Sequence, residues 1–266
     1  MNASRKRITA PAFSAMKSSG RKISMLTAYD FTMAELLDAC EIDGILVGDS
    51  MSMVVQGHDT TLPVTLDEMI YHAEMVGRAV RHALVVVDMP FPSYHLGTHK
   101  AIENAGRILK ETRAQAVKLE GGVEQAEVIA ALVSAGIPVM AHCGLRPQSV
   151  HQIGGYKVQR DQVQLLADAK AAEQAGAFAI VLECLPAAAA DAITADIGIP
   201  TIGIGAGAGC DGQVLVTSDL LGLTAGYVPR FVKKYADLKS IIAGAVCNYR
   251  DEVRDGDFPG PEQTYK

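Results

Sequence analysis

Short runs rich in Val, Ile and Leu alternate with longer amphipathic stretches along the chain, and this order constrains the fold more than any other feature. Each short run has the length and the β-branched content of a buried strand, and each longer stretch has the length of a helix. The predicted strands are 23–28, 44–48, 84–88, 116–120, 138–142, 178–183, 201–204 and 213–216. The predicted helices between them are 30–41, 65–82, 98–114, 123–135, 159–175 and 187–197. The alternation predicts an α/β protein with a parallel sheet.

Eight strands favour a closed (β/α)8 barrel of the TIM type over the rival architecture, a doubly wound open sheet. The length of 266 residues is typical of such a barrel. We find no linker, so we predict one domain over 1–266, with a short N-terminal extension, a last helix at 231–246 and a polar tail at 255–266. The seventh and eighth strands are joined by a Gly-rich segment, which predicts an irregular barrel there.

Charge and composition exclude several classes of partner. The formal net charge is −6, so the chain offers no basic surface for nucleic acid. Every apolar run is broken well before the roughly eighteen residues of a membrane span. The five cysteines form no C-x-x-C pair and are odd in number, which argues against a disulfide framework. We therefore expect a cytoplasmic protein that binds small molecules.

Ionisable residues stand at the ends of five predicted strands. In barrels of this type the carboxyl ends of the strands and the loops that follow build the active site. The candidates at these ends are Asp49 with Ser50, Asp88, Lys118 with Glu120, His142 and Glu183. The sequence therefore predicts one polar rim assembled from five parts of the chain.

Lys118 and Glu120 are two residues apart on one strand, so both should point into the barrel. If Asp49, Asp88 and Glu183 also point inward, the ionised carboxylates would repel one another. A bound divalent cation is the simplest way to neutralise this negative charge. Ligands with oxygen alone indicate Mg²⁺ or Mn²⁺ rather than zinc. For any single carboxylate, capping the next helix or pairing with an arginine is an equal alternative.

Other features of the sequence indicate a functional role less strongly. A lone strand-end histidine such as His142 is more often structural than catalytic, so it is a secondary candidate. The Gly-rich run 202–209 is a possible phosphate cradle, but close packing at a tight turn is the favoured interpretation. The apolar segment 51–55 suggests a lid or a subunit contact. Cys143 and Cys184 have no paired base, which favours packing over nucleophilic catalysis.

Ordered motifs across nearly the whole chain resemble those of the ketopantoate hydroxymethyltransferase family. They are M-L-T-A-Y-D (25–30), V-G-D-S (47–50), G-H-D-T-T-L-P-V-T (57–65), V-K-L-E-G-G (117–122), H-C-G-L-R-P-Q (142–148), V-L-E (181–183), I-G-I-G-A-G (202–207), C-D-G-Q-V-L-V (210–216) and F-P-G-P-E (258–262). Blocks of this length in this order are far more specific than a short glycine pattern.

The resemblance implies a role for each strand-end residue. It implies that Asp49, Asp88 and Glu120 surround one Mg²⁺ per subunit. It also implies that Asp49, Ser50, Asp88 and Lys118 contact a keto acid and that Glu183 accepts a proton. A homo-oligomer, by resemblance a decamer, is implied as well.

The implied reaction transfers a hydroxymethyl group from 5,10-methylenetetrahydrofolate, the co-substrate, to C3 of 3-methyl-2-oxobutanoate. The products are 2-dehydropantoate, a precursor in pantothenate and coenzyme A biosynthesis, and tetrahydrofolate, and the path runs through a metal-stabilised enolate. Two alternatives stay open at this point. One is another Mg²⁺-dependent C–C lyase or mutase acting on a 2-oxo acid, and the other is a non-catalytic ligand-binding barrel.

Overall fold

The computed structural model describes residues 6–265 and contains a closed barrel of eight parallel strands. The strands follow one another around the barrel in chain order, and the first pairs with the eighth. They are β1 (Ile23–Thr27), β2 (Gly44–Val47), β3 (Leu84–Asp88), β4 (Ala116–Glu120), β5 (Val139–Gly144), β6 (Ala179–Glu183), β7 (Thr201–Ile204) and β8 (Gly212–Leu215). The predicted (β/α)8 barrel is confirmed, and the closure of the sheet excludes the open-sheet alternative.

The six predicted helices are all present, and residues 6–216 contain three further ones. Those of the barrel are α1 (Ala10–Ser18), α2 (Phe31–Ala39), α3 (Met51–Val54), α4 (Leu66–Ala79), α5 (Thr98–Glu111), α6 (Ala126–Ser134), α7 (Val150–Ile153), α8 (Gln162–Gln174) and α9 (Ala187–Asp196). Side-chain caps mark several starts: Thr65 and Glu68 form a capping box on α4, and Asp30 and Asp161 cap α2 and α8. None of the helices in residues 6–265 combines the length and apolar character needed to cross a bilayer.

The barrel interior changes from apolar to polar along the strands. Alternate residues of each strand face inward, and the lower layers belong to one hydrophobic cluster that includes Leu84, Val86, Ala116, Met140 and Val181. Continuing the same alternation by two residues places the charged side chains at the carboxyl ends of the strands. One end of the barrel is therefore a packed core and the other is a polar mouth.

Helix α1 packs against the apolar end of the barrel, which the sequence did not predict. Phe13 and Met16 of α1 belong to the same cluster as the inward side chains of the strands. The ring of Phe13 meets that of Phe178, just before β6, edge to face with centroids 5.9 Å apart. The predicted N-terminal extension thus contains a helix that closes the floor of the barrel.

The connection between β7 and β8 contains no helix, in agreement with the predicted irregularity there. Gly205 and Gly207 adopt positive φ values of 65° and 89°. A Cβ at Gly207 would lie 2.8 Å from Ala187 Cβ, at the start of α9. These contacts support the interpretation of 202–209 as a close-packed turn.

The chain divides after Val216 into two compact units, of which the barrel is the first. The second contains α10 (Thr217–Leu220) and α11 (Leu238–Asp255). The predicted boundaries of the last helix, 231–246, and of the tail, 255–266, were wrong in part, because α11 starts later and runs to Asp255. The backbone amides of Tyr235 and Leu238 donate to Leu220 and Leu221, which keeps 231–237 out of the helix. Assignment of 1–266 to one domain remains a prediction.

Candidate active site

Asp88 and Lys118 form a buried ion pair at the mouth of the barrel. Asp88 is the last residue of β3, and the register places Lys118 of β4 beside it. Lys118 Nζ lies 2.9 Å from Asp88 Oδ1, and the two side chains are 5% and 3% exposed. Burial alone would lower the pKa of Lys118, but the nearby carboxylates outweigh burial and raise it. Lys118 is therefore a permanent cation in the mouth.

Two further carboxylates, Asp49 and Glu120, are buried beside this pair. The backbone amide of Asp49 donates to Asp88 Oδ2 over 3.0 Å, which fixes the loop after β2 against β3. Burial, and then repulsion from Asp88, raises the pKa of Asp49 to about 7. Burial and repulsion from Asp49 raise the pKa of Glu120 as well. Lys118 thus leaves the negative charge of this group only partly compensated.

Gln148, in the turn after β5, links Asp49 to Glu120. Its side-chain Nε2 donates to Asp49 Oδ2 over 2.8 Å and to the carbonyl of Met89 over 3.0 Å. Its backbone amide donates to Glu120 Oε2 over 3.0 Å. Gln148 was not predicted to be a site residue, although it closes the motif H-C-G-L-R-P-Q, which was the available signal.

His142 lies between Lys118 and Glu183. Its Nδ1 is 3.3 Å from Lys118 Nζ and its Nε2 is 3.3 Å from Glu183 Oε2. Because a lysine ammonium can only donate, His142 Nδ1 must accept from it, and the ring proton of neutral His142 is therefore on Nε2, toward Glu183. The Glu183 side chain is 16% exposed, more than the carboxylates beneath it. Glu183 is the acidic side chain of this group most open to an entering substrate.

Ser50 lies at the edge of the group, where its Oγ is 2.8 Å from the hydroxyl of buried Tyr29. A Cβ built on Gly48 would lie 2.8 Å from Ser50 Oγ and 3.5 Å from Asp88 Oδ2. The missing side chain at Gly48 therefore lets Ser50 and Asp88 approach the backbone after β2 closely. Tyr29 was not singled out from the sequence, although it belongs to a quoted motif.

The oxygen donors fit a hard divalent cation in their chemistry. Asp49, Asp88 and Glu120 are all buried, and Asp88 Oδ1 has the Lys118 ammonium as its ion-pair partner. Within 6–265, however, no three His, Cys, Asp or Glu side chains are already arranged to hold an ion. Asp88 pairs with Lys118 instead, so cation binding would require the Asp88 carboxylate to reorient. The predicted ligand set therefore remains a prediction.

The two cysteines beside the site are poor nucleophiles. Burial raises the pKa of the Cys143 thiol. Burial and the neighbouring Glu183 raise the pKa of Cys184 to about 12. Both thiols are protonated near neutral pH, in agreement with the packing role favoured from the sequence.

Comparison with known proteins decides the family. The profile described as Ketopantoate hydroxymethyltransferase matches residues 7–261, nearly the whole chain. The chain belongs to the ketopantoate hydroxymethyltransferase family. The predicted family membership and enzyme class are confirmed: the protein is a hydroxymethyltransferase.

Relatives named 3-methyl-2-oxobutanoate hydroxymethyltransferase match the chain over nearly their full length. The protein of Rhodopirellula baltica is 56% identical over 98% of this chain and 97% of its own. That of Geotalea daltonii is 58% identical over 92% and 93%. That of Enterococcus faecalis is 53% identical over 97% and 95%. The similarity therefore covers both the barrel and the C-terminal unit.

Solved structures with low sequence identity share the fold of this hydroxymethyltransferase. A 2,3-dimethylmalate lyase of the PEP mutase/isocitrate lyase superfamily superposes with a TM-score of 0.61 at 18% identity, over 97% of this chain and 92% of its own. A phosphonopyruvate hydrolase in complex with oxalate and Mg²⁺ gives 0.62 at 14% identity, over 96% and 93%. These likenesses concern the barrel architecture.

Proposed function

We propose that this hydroxymethyltransferase uses Mg²⁺ and 5,10-methylenetetrahydrofolate to convert 3-methyl-2-oxobutanoate into 2-dehydropantoate and tetrahydrofolate. The observation that carries the proposal is the arrangement of buried Asp49, Asp88 and Glu120 around Lys118, with the more exposed Glu183 next to them. A 2-oxo acid is an anion with two adjacent oxygen functions. Such a substrate suits a mouth that offers both a fixed ammonium group and a cation site.

In this proposal Lys118 and Ser50 bind the substrate. The Lys118 ammonium, held by Asp88, offers protons to the carboxylate or the ketone oxygen of the keto acid. The hydroxyl of Ser50, at the edge of this group of side chains, can donate to the same anion. These contacts would fix the orientation of C3 relative to Glu183.

Asp49, Asp88 and Glu120 would hold the Mg²⁺. When bound, the cation supplies Lewis-acid polarisation of the keto group, which makes the adjacent C–H more acidic. The excess of buried negative charge and the all-oxygen donor set support this choice. The phosphonopyruvate hydrolase that shares this fold is in complex with oxalate and Mg²⁺.

Glu183 would act as the general base. It takes the proton from C3, and the electron pair left at C3 forms the bond to the methylene carbon of the folate. Both C–N bonds that hold the methylene carbon in the folate break with their electrons going to nitrogen, and water provides the hydroxyl oxygen of the product. The C3 proton and one proton of the water end on the two nitrogens. His142 Nε2, 3.3 Å from Glu183 Oε2, would limit where the carboxylate can lie.

The test is exchange of the C3 proton of the keto acid into deuterated solvent, without folate. With Mg²⁺ present, we expect the wild-type protein to exchange this proton and Glu183→Gln to do so about 10²- to 10⁴-fold more slowly, because a general base contributes that much. Glu74→Gln is the matched control, because Glu74 pairs with Arg78 on the surface of α4. Equal exchange by Glu183→Gln and wild type would refute the assignment of the base.

The same assay separates the remaining alternatives. A non-catalytic barrel gives no exchange with any variant, and omission of Mg²⁺ should abolish exchange if the cation site is correct. Product analysis with and without 5,10-methylenetetrahydrofolate distinguishes a hydroxymethyltransferase from a lyase or mutase of the same fold. A lyase or mutase would form product without the folate.

We also propose that the protein is a cytoplasmic homo-oligomer, with the decamer as the expected form. All five cysteines are free thiols, which supports a reducing compartment. Helix α11 carries exposed Ile242, Val246, Tyr249 and Val253 at helical spacing, a stripe suited to contact with a second copy of the chain. We expect light scattering to give a multimeric mass that Val246→Glu lowers; a wild-type monomer would refute this.

A further inference from the structure

Gln148 contacts two of the carboxylates of the proposed cation site through two different groups. The side-chain amide donates to Asp49, and the backbone amide donates to Glu120. From this geometry we propose that Gln148 is a positioning residue, which orients Asp49 for divalent-cation binding, with Tyr94 orienting Gln148 in turn. This inference rests on the proposed function, because it concerns the same cation site.

The surroundings of Gln148 fix which way its amide points. Asp49 Oδ2 and the carbonyl of Met89 both lie within hydrogen-bond distance on one side, and both are acceptors. Only the amide NH₂ can satisfy them, and it has one proton for each. The oxygen Oε1 therefore faces the opposite side, where the Tyr94 hydroxyl donates to it over 2.8 Å. Each polar atom of the side chain has a partner.

Tyr94 is itself held in one position. Its ring is buried, and its hydroxyl lies 3.0 Å from the carbonyl and 3.2 Å from the backbone amide of Glu120. The hydroxyl thus joins β4 to the turn that carries Gln148. A chain of hydrogen bonds runs from the backbone of Glu120 through Tyr94 and Gln148 to the carboxylate of Asp49.

This series of hydrogen bonds would fix Asp49 Oδ2 and leave Oδ1 available to the cation. Asp49 Oδ2 accepts from Gln148, which restricts rotation of the carboxylate. A ligand held in this way loses less side-chain freedom when a cation binds. Without Gln148, Asp49 would be free to turn toward the Lys118 ammonium, which would compete with the cation.

The experiment measures binding of Mn²⁺ alone to the full-length protein by electron paramagnetic resonance. Gln148→Met keeps the side-chain volume and the backbone amide but removes the donor to Asp49. We expect the Mn²⁺ dissociation constant to rise about 10- to 100-fold, the usual effect of losing a partner that orients a metal ligand. Gln164→Met is the matched control, because Gln164 also donates to an aspartate, Asp168, over 2.8 Å, but on exposed α8.

Tyr94→Phe provides a second variant that tests the same chain. We expect Tyr94→Phe to lower Mn²⁺ affinity less than Gln148→Met does. We also expect Tyr94→Phe to have a smaller effect in the Gln148→Met background than in wild type, because Tyr94 acts partly through Gln148. Circular dichroism melting checks that each variant is folded. If Gln148→Met fails to fold, Tyr94→Phe alone decides, and unchanged affinity refutes the inference.

The outcomes separate this inference from the proposed function. If wild-type protein binds no Mn²⁺, the cation site itself is wrong and both fail. If wild type binds and folded Gln148→Met binds equally well, only the positioning role fails. A loss in Gln148→Met with unchanged Gln164→Met supports both.

Discussion

Removal of the Lys118 ammonium should cost much of the stability of the protein when no divalent cation is present. Lys118 Nζ lies 2.9 Å from Asp88 Oδ1, and both side chains are at most 5% exposed. Lys118→Met keeps the buried hydrocarbon but leaves Asp88 beside Asp49 and Glu120 without the cation. Breaking a buried pair by removing one partner costs about 3–5 kcal/mol.

This loss converts into a measurable shift. At about 2–4 °C per kcal/mol for a protein of this size, the midpoint of thermal unfolding in EDTA should fall by about 6–20 °C. Lys170→Met is the control, because Lys170 pairs with Asp196 over 2.6 Å while both side chains are more than 40% exposed. A surface pair of this kind contributes about 0–1 kcal/mol, so that midpoint should change by no more than about 4 °C.

Addition of Mg²⁺ tests the electrostatic cause. If repulsion among the carboxylates is what destabilises Lys118→Met, saturating Mg²⁺ should raise its midpoint more than that of the wild type, since binding to the folded state stabilises it. Equal midpoints of wild type and Lys118→Met in EDTA would refute the reasoning. A large fall that Mg²⁺ does not reduce would show lost packing instead.

Two further substitutions test the scaffold. Phe13→Ala should lower the free energy of unfolding in urea by about 3–5 kcal/mol, because the ring is fully buried in the barrel floor, whereas exposed Phe31→Ala should change it little; equal effects would contradict the packing role of α1. Gly144→Ala should destabilise more than Gly136→Ala, because both have positive φ but only a Cβ at 144 would clash with the Glu183 carbonyl. Urea unfolding again gives the comparison, and a similar loss in both variants would show that the carbonyl contact does not matter.

Several features of the protein followed from local sequence because they depend on local periodicity. The eight strands were predicted within a residue or two, since each is a short apolar run bounded by Gly, Pro or charge. The shared inward face of Lys118 and Glu120 followed from the two-residue period of a strand. The family followed from motifs such as V-K-L-E-G-G, which the profile match confirms.

Other features depended on contacts between residues distant in the chain. The start of α11 was missed because backbone hydrogen bonds to residues 220 and 221 hold the preceding segment. Helix α1 was missed because packing against the end of the barrel defines it. Gln148 was missed because its importance comes from reaching Asp49, 99 positions away. Sequence therefore determined which residues could carry charge and in which direction each strand presents them. Only closure of the barrel decided which of them meet, because hydrogen bonds and ion pairs require atoms within about 3 Å, a condition that no local pattern encodes.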